Sequence, residues 1–374
     1  MGRVPSFERG PGAALVDHAP VVAAPNAFKG TLSPLEAAQA MARGVAQACP
    51  GRAVILRPLP DGGDGTLDVL TRALRAETHV FATQDSCGHM MRAPFGLARG
   101  RRGAIALIES ARVIGLAQDP QCPLSSRSTE GLGQLLRHVL DRGARTVYLG
   151  LGGSATCDAG VGFLAALGVR FAGIPRADLE TLERIRAVDL AGLDPRLART
   201  RIIALVDVTN PLAGPCGAVV FAAQKGAYPV DLGDIDRRLR WAADRLETVF
   251  AVSVRDRLGA GAAGGLGFAC ALLGARLVPG AAIVARLTGL AAAIRQASLV
   301  LTGEGACDAQ TGYGKGPQLV AAQARRLGRP VYLVCGRIDR SFAGLSEYYA
   351  RCATLPPGLP AADALSAAVA DLLA

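Results

Sequence analysis

Only three of the 41 lysine and arginine residues in this chain are lysine, and each directly precedes a glycine: Lys29-Gly30, Lys225-Gly226 and Lys315-Gly316. With arginine at every other basic position, these three sites ask for what a guanidinium cannot supply, a compact and mobile point charge beside a bare backbone. Anionic oxygens, above all those of phosphate, are the natural target of such a charge. Carboxylates stand nearby in sequence. Asp61 and Asp64 are three apart in LPDGGDGT (59–66), and Asp207 and Asn210 lie in VDVTNPL (206–212), ahead of Gln224 and Lys225 in AQKGA (223–227). Paired acids on glycine-padded turns suit Mg2+ held through one or two carboxylates, or a base beside a substrate hydroxyl. Asp64 reads equally well as the acidic start of a helix. The four histidines, His18, His79, His89 and His138, all lie outside the glycine-rich motifs, so a carboxylate is the better candidate for a base.

Three glycine-rich stretches complete the chemistry. GLGGSATCDAG (150–160) places Gly152, Gly153, Ser154 and Thr156 where a strand runs into a helix, so amides and hydroxyls can meet phosphate at a helix N-terminus. It also matches G-x-G-x-x-A, but no acidic residue ends a convincing second strand about twenty residues on, as a dinucleotide site needs, and no Gly-Lys is followed by Ser or Thr as in a Walker A loop. GAGAAGGLG (259–267) allows either close approach to a ligand or tight helix packing. TGEGACDAQTGYGKGP (302–317) gathers Glu304, Asp308, Gln310, Thr311 and Lys315 among glycines, more polar groups with less bulk than a connecting loop requires.

The elements that must position these residues alternate. Apolar, β-branched runs at 20–25, 53–59, 104–110, 146–150, 201–208, 299–303 and 330–336 are predicted to be strands, and 34–48, 128–142 and 234–252 to be amphipathic helices. That order predicts an α/β protein with parallel sheets, in which ligands bind beyond the carboxyl ends of strands. Residues 78–83 and 90–98 read instead as short antiparallel strands, so a second subdomain begins after about Leu70. A chain of 374 residues, half of them hydrophobic, can bury two cores. Residues 1–19 read as a disordered extension, too rich in Gly, Pro and charge for a signal-peptide core, and no apolar run is long enough for a membrane span. Nine scattered cysteines without CxxC spacing point to reduced cytoplasmic thiols rather than disulfides or a structural zinc site. The net charge of +10 is carried by arginines interleaved with acids and without a basic-aromatic surface, which argues against nucleic acid and leaves a field that steers small anions.

In this order, APNAFKGTLS, DGGDGT, GLGGSATCDAG, DVTNPL, QKGA, GAGAAGGLG and TGEGACDAQTGYGK resemble the bacterial glycerate kinases of glyoxylate and sugar-acid degradation. The resemblance covers about residues 20–374. It implies a Rossmann-like domain (20–70 with 280–374), a second α/β domain inserted within it (71–279), and a site in the cleft between them. It implies ATP-dependent phosphorylation of D-glycerate, most often to 2-phosphoglycerate, with ATP and Mg2+ as cofactors and only small-molecule partners. Carried over to this chain, Lys29, Asp61, Asp207 and Lys225 become catalytic candidates, with Asp61 and Asp207 as metal ligands. Gly152, Gly153, Ser154, Thr156, Asp158, Asn210, Gln224, Glu304, Asp308, Gln310 and Lys315 become substrate- or nucleotide-binding candidates. Another small hydroxy acid as acceptor, or a non-catalytic nucleotide or anion sensor, are the alternatives. The chain departs from the family pattern at Asn26 (usually Asp), Asp64 (commonly Glu), Cys157-Asp158-Ala159-Gly160 (usually Asn-Asp-Gly-Gly) and Ala222-Ala223 (Gly-Pro), and in a shortened stretch after Val169.

Overall fold

A computed structural model describes residues 19–118, 120–307, 316–339 and 345–374. The extension expected over 1–19 falls almost wholly outside the described residues, as do Asp308, Gln310, Thr311 and Lys315. The chain starts with β1 (Val21–Ala23), α1 (Pro34–Ala48) and β2 (Val54–Leu56). There follow α2 (Thr66–Leu74), β3 (Glu77–Gln84), β4 (Met90–Gly100), β5 (Gly103–Glu109), α3 (Ala111–Ile114), α4 (Glu130–Asp141) and β6 (Ala144–Gly150). Next come α5 (Val161–Ala166), β7 (Arg170–Ala172), β8 (Ala187–Asp189), β9 (Arg201–Val206), α6 (Leu232–Phe250), α7 (Ala262–Leu272) and β10 (Arg276–Pro279). The chain closes with α8 (Gly280–Leu287), α9 (Leu290–Gln296), β11 (Leu299–Cys307), α10 (Gly316–Arg326), β12 (Val331–Ile338), α11 (Leu345–Tyr348), β13 (Arg351–Thr354) and α12 (Ala361–Leu373).

These elements form two compact units, one of Met1–Asp61 with Ala281–Ala374 and one of Gly62–Gly280. The first division falls at Asp61/Gly62 rather than near Leu70, because α2 packs on β4 and β5 and so belongs to the second unit.

The first unit is built on a parallel sheet of order β13-β12-β11-β1-β2. Its interior strand β1, between β11 and β2, is fully buried, as expected for a strand covered on both faces. Helix α1 starts where the sequence says it should: Ser33 accepts from the Glu36 amide, Glu36 accepts from the Ser33 amide, and Pro34 takes the first turn. Its buried face, including Ala37, Met41 and Val45, packs with Leu365, Ala368 and Val369 of α12. Gly44 permits that contact, since a Cβ there would lie 2.3 Å from the Ser366 carbonyl oxygen.

The second unit contains a six-stranded sheet of order β10-β9-β6-β5-β4-β3. Strands β10, β9, β6 and β5 run parallel, and β4 and β3 are antiparallel, as the alternation at 78–83 and 90–98 predicts. Phe95, Leu132, Leu135, Leu136, Phe163 and Phe268 lie at its core. The short strands β7, β8, β10 and β13 carry too few apolar residues to announce themselves, and exist because a neighbour offers a pairing edge.

The cysteines require a correction. Cys87 is bonded to Cys122 and Cys307 to Cys335, with Cα separations of 5.8 and 6.4 Å. The partners are 35 and 28 residues apart, brought together by the β3–β4 turn in one case and by adjacent strands β11 and β12 in the other, so spacing alone could not reveal them. The other five are free, and burial pushes the Cys157 and Cys270 thiols up to about 11 and about 12, which makes them poor nucleophiles. No helix among the described residues is long and apolar enough to cross a membrane.

Candidate functional site

In the first unit the candidates collect at the carboxyl ends of the adjacent strands β11, β1 and β2. The chain leaving β1 stays on the sheet, with the Asn26 amide donating to the Gly303 carbonyl (2.8 Å) and the Leu59 amide to that of Pro25 (2.8 Å). Asn26 Nδ2 then donates to Asp61 Oδ2 at 2.8 Å, while Asn26 Oδ1 accepts from the Ala27 amide. An aspartate at 26 would set two carboxylates against each other; the amide supplies a donor instead and holds Asp61 in place. Lys29 is exposed at the following turn, with Gly305 of β11 packed against its backbone. Glu304, only 8% exposed, precedes that glycine. Gly316, which opens α10, lies against Leu59 and Asn26, so this helix N-terminus faces the same cluster.

In the second unit the site forms where β5, β6 and β9 end. The Gly150–Gly160 loop is sewn to its surroundings by main-chain bonds: Leu151 N to Leu205 O, Gly152 N to Gly62 O, Ala155 N to Ile114 O and Ala159 N to Gly264 O, all 2.8–3.0 Å. Gly153 is exposed, with φ +74°, and a Cβ there would lie 3.2 Å from Asp64 Oδ1, so the DGGDGT turn and the glycine loop form one edge. Glu109, the last residue of β5, holds that turn from inside. Its carboxylate accepts from the amides of Leu67 (2.8 Å) and Gly65 (3.3 Å) at the start of α2. Burial pushes its pKa up to about 7, against the pull of the Leu67 amide and Arg112 and with reinforcement from Asp64.

Lys225 sits under the same loop. It is 6% exposed, and its Nζ donates to Thr156 O (2.8 Å) and Ser154 Oγ (3.2 Å). Burial lowers the pKa of this ammonium and Arg127 lowers it further, while Cys157, Asp158 and Asp207 oppose that shift. Asp158, expected to bind substrate or nucleotide, is fully buried, and its carboxylate is committed to the Thr129 amide and hydroxyl and to the Gly160 and Gly162 amides opening α5. It anchors the loop from beneath. Thr156 is also fully buried, and its hydroxyl has no hydrogen-bond partner among the described residues. Asp207 stands just past the end of β9. Asn210 donates Nδ2 to Cys216 O within its own loop, and Gln224 is exposed. The glycine run at 259–267 approaches the chain itself: at Gly264 (φ +65°) a Cβ would lie 2.1 Å from the Thr156 carbonyl oxygen.

The structure thus brings Ser154, Thr156, Asp158 and Lys225 together, and sets Gly152 against Gly63 and Gly153 beside Asp64. Glu109 and Arg127 were absent from the sequence expectation. An acid closing the apolar run AIALIE was a usable signal for the first, whereas Arg127 is one of thirty-eight arginines and carried none. Chemically, the loop offers amides, hydroxyls and one buried ammonium, a set that fits phosphate oxygens. Asp61 and Asp207 offer hard carboxylate oxygens of the kind Mg2+ takes, and Asp61 uses only Oδ2 in hydrogen bonds among the described residues.

Comparison with known proteins agrees with this chemistry. The glycerate kinase family model matches residues 21–373. A glycerate kinase of Halalkalibacterium halodurans is 37% identical over 340 residues, 88% of either chain, and the glycerate 2-kinase of Escherichia coli K12 is 37% identical over 328 residues, 85% of either chain. A crystal structure of a Salmonella typhimurium LT2 protein proposed to be glycerate kinase 2 aligns with a TM-score of 0.78 and 33% identity, covering 95% of this chain and 97% of that one. With the family pattern present along nearly its whole length, the chain belongs to the glycerate kinase family of phosphotransferases.

Proposed function

We propose that the chain transfers the γ-phosphoryl group of ATP to D-glycerate, giving 2-phosphoglycerate and ADP. The observation that carries this reading is Lys225, an ammonium buried against the glycine-rich Gly150–Gly160 loop at the carboxyl ends of parallel strands. Family membership and the glycerate kinase names of its relatives supply the substrate class.

Phosphoryl transfer asks a protein for alignment and charge neutralisation more than for covalent chemistry. The hydroxyl oxygen of glycerate attacks the γ-phosphorus, the bond to the β-phosphate oxygen breaks, and the hydroxyl proton passes to a carboxylate, Asp207 or Asp61. Lys29, Lys225 and Lys315 neutralise charge on the two substrates. Gly153 and Ser154 receive phosphate oxygens, with the Gly152 amide bound to Gly62 O and Thr156 and Asp158 fixing the loop that carries them. Asn210, Gln224, Glu304, Asp308 and Gln310 complete the substrate contacts. Whichever of Asp207 and Asp61 does not take the proton would hold Mg2+, which would supply charge neutralisation on the transferring phosphates. The reaction belongs in the cytoplasm, where ATP is at hand, with small molecules as its only partners.

The deciding experiment incubates purified protein with Mg-ATP and D-glycerate, follows ADP by a coupled assay and assigns the phosphorylated carbon by NMR. ADP with phosphate on C2 is the expected result. Phosphate on C3 would keep the kinase and overturn the position. ATP binding without ADP release would overturn the glycerate reading in favour of another hydroxy-acid acceptor or of a sensor, which a panel of acceptors separates.

A further inference from the structure

Arg127 is 7% exposed, and each of its nitrogens is turned onto a main-chain carbonyl. Nε donates to Cys122 O (3.0 Å), Nη1 to Lys225 O (2.9 Å) and Ala155 O (3.3 Å), and Nη2 to Pro120 O (3.3 Å). Burying a guanidinium carries a large desolvation cost, so its place in the fold matters. Here the fork grips three separate segments: the 120–122 loop, the glycine-rich loop, and the turn that ends in Lys225. The next two residues continue the clasp. Ser128 donates to Ala177 O (2.6 Å), and Thr129 donates through both its amide and its hydroxyl to Asp158, the anchor of the same loop. The loop behind Arg127 is itself tied, through Cys122, to Cys87 at the β3–β4 turn.

We propose that Arg127 is a positioning residue for the transfer step, fixing the backbone of Lys225 so that its ammonium stays against Ser154 and Thr156 at the phosphate-binding edge of the loop. The fork suits the task because its donors are rigidly splayed and can hold several carbonyls in one arrangement, which a lysine could not do. The groups that face the Lys225 ammonium are Cys157, Asp158, Arg127 and Asp207, so Arg127 contributes a fixed positive charge there as well as the geometry. The role in transfer rests on the function proposed above; the hold on Lys225 does not.

The chain's three lysines make the test direct. Protein labelled with [13C]lysine gives one Cε resonance each for Lys29, Lys225 and Lys315, and Lys225→Arg identifies the second. In Arg127→Gln the Lys225 resonance is expected to move toward that of an exposed lysine while the other two stay. With it, kcat falls roughly tenfold or more and KM for D-glycerate and ATP changes less than about twofold, as for an interaction that matters in the transition state. Arg127→Lys keeps the buried charge without the fork and is expected to lose part of the activity; it serves as the second variant should the glutamine form fail to fold. An unmoved Lys225 resonance, or a lowered Tm with kcat per folded molecule unchanged, would overturn the proposal. If Lys225 moves but not even the parent protein turns over D-glycerate, the hold on Lys225 stands and the functional reading falls.

Discussion

Lys225 and Glu109 are buried ionisable groups held for opposite reasons. The lysine donates to Thr156 O and Ser154 Oγ while Cys157, Asp158 and Asp207 oppose the downward push of burial on its pKa, and its value lies in a compact charge close to the backbone. Lys225→Arg keeps the charge but cannot place it there, so kcat should fall by a factor on the order of 10² in steady-state assays. The same substitution at Lys29 and Lys315 tests whether all three act on phosphate, and three silent variants would sink that reading. Glu109 holds the DGGDGT turn with its carboxylate in a site that penalises the charge. Its pKa is raised from 4.5 to about 7, so between those values the folded state binds more protons than the unfolded state. Its contribution to stability is therefore fully present below the unfolded value and is lost as pH rises through about 7. Urea unfolding at pH 4.5 and 8 should show a loss of up to about 3 kcal/mol from this group. In Glu109→Gln that part of the pH slope disappears; a slope identical to the parent's would refute the assignment.

At the scale of elements, the site consists of loops braced on one another where parallel strands end, and the brace is close backbone contact. The clearest case is the start of α7, where Ala263, Gly264 and Gly265 take positive φ before the helix settles. Gly264→Ala meets both a left-handed backbone and a carbonyl oxygen 2.1 Å from the new Cβ. A loss of about 3 kcal/mol is expected, read as a lower urea midpoint at unchanged m. Much of this was legible. The extent of α1, the β3–β4 hairpin and the strands that end in glycine, aspartate or asparagine could be read from local pattern, because period and turn chemistry are properties of short segments. The 259–267 glycines could not be decided, since glycine permits close approach equally to a ligand and to another loop. Which one fills the space depends on residues a hundred positions away.

At the scale of the molecule, the larger hydrophobic cluster among the described residues lies in the Gly62–Gly280 unit. The chain's single tryptophan, Trp241, is on α6 of that unit with the Arg245 guanidinium 3.5 Å over its ring. Tryptophan fluorescence therefore reports the second unit alone, while far-UV circular dichroism averages both. The larger core predicts that the dichroism signal starts to fall at lower urea than the fluorescence, a departure from two-state unfolding. Coincident transitions would show the units unfolding as one. The net charge of +10 acts at this scale too: a general positive field favours encounter with anionic substrates.

What this chain's residues determined unaided is the chemistry and the alternation that presents it: three lysines before glycine, acids on glycine-padded turns, and strands feeding helices. These follow from side-chain type and local period. Tertiary structure decided which of those residues lie on the surface and which hold the loops. Asp158 and Thr156 sit beneath the loop they share with the exposed Gly153, Arg127 reaches Lys225 across 98 residues, and Cys87 finds Cys122 across 35. Burial and long-range partnership depend on how elements pack, which local composition does not encode.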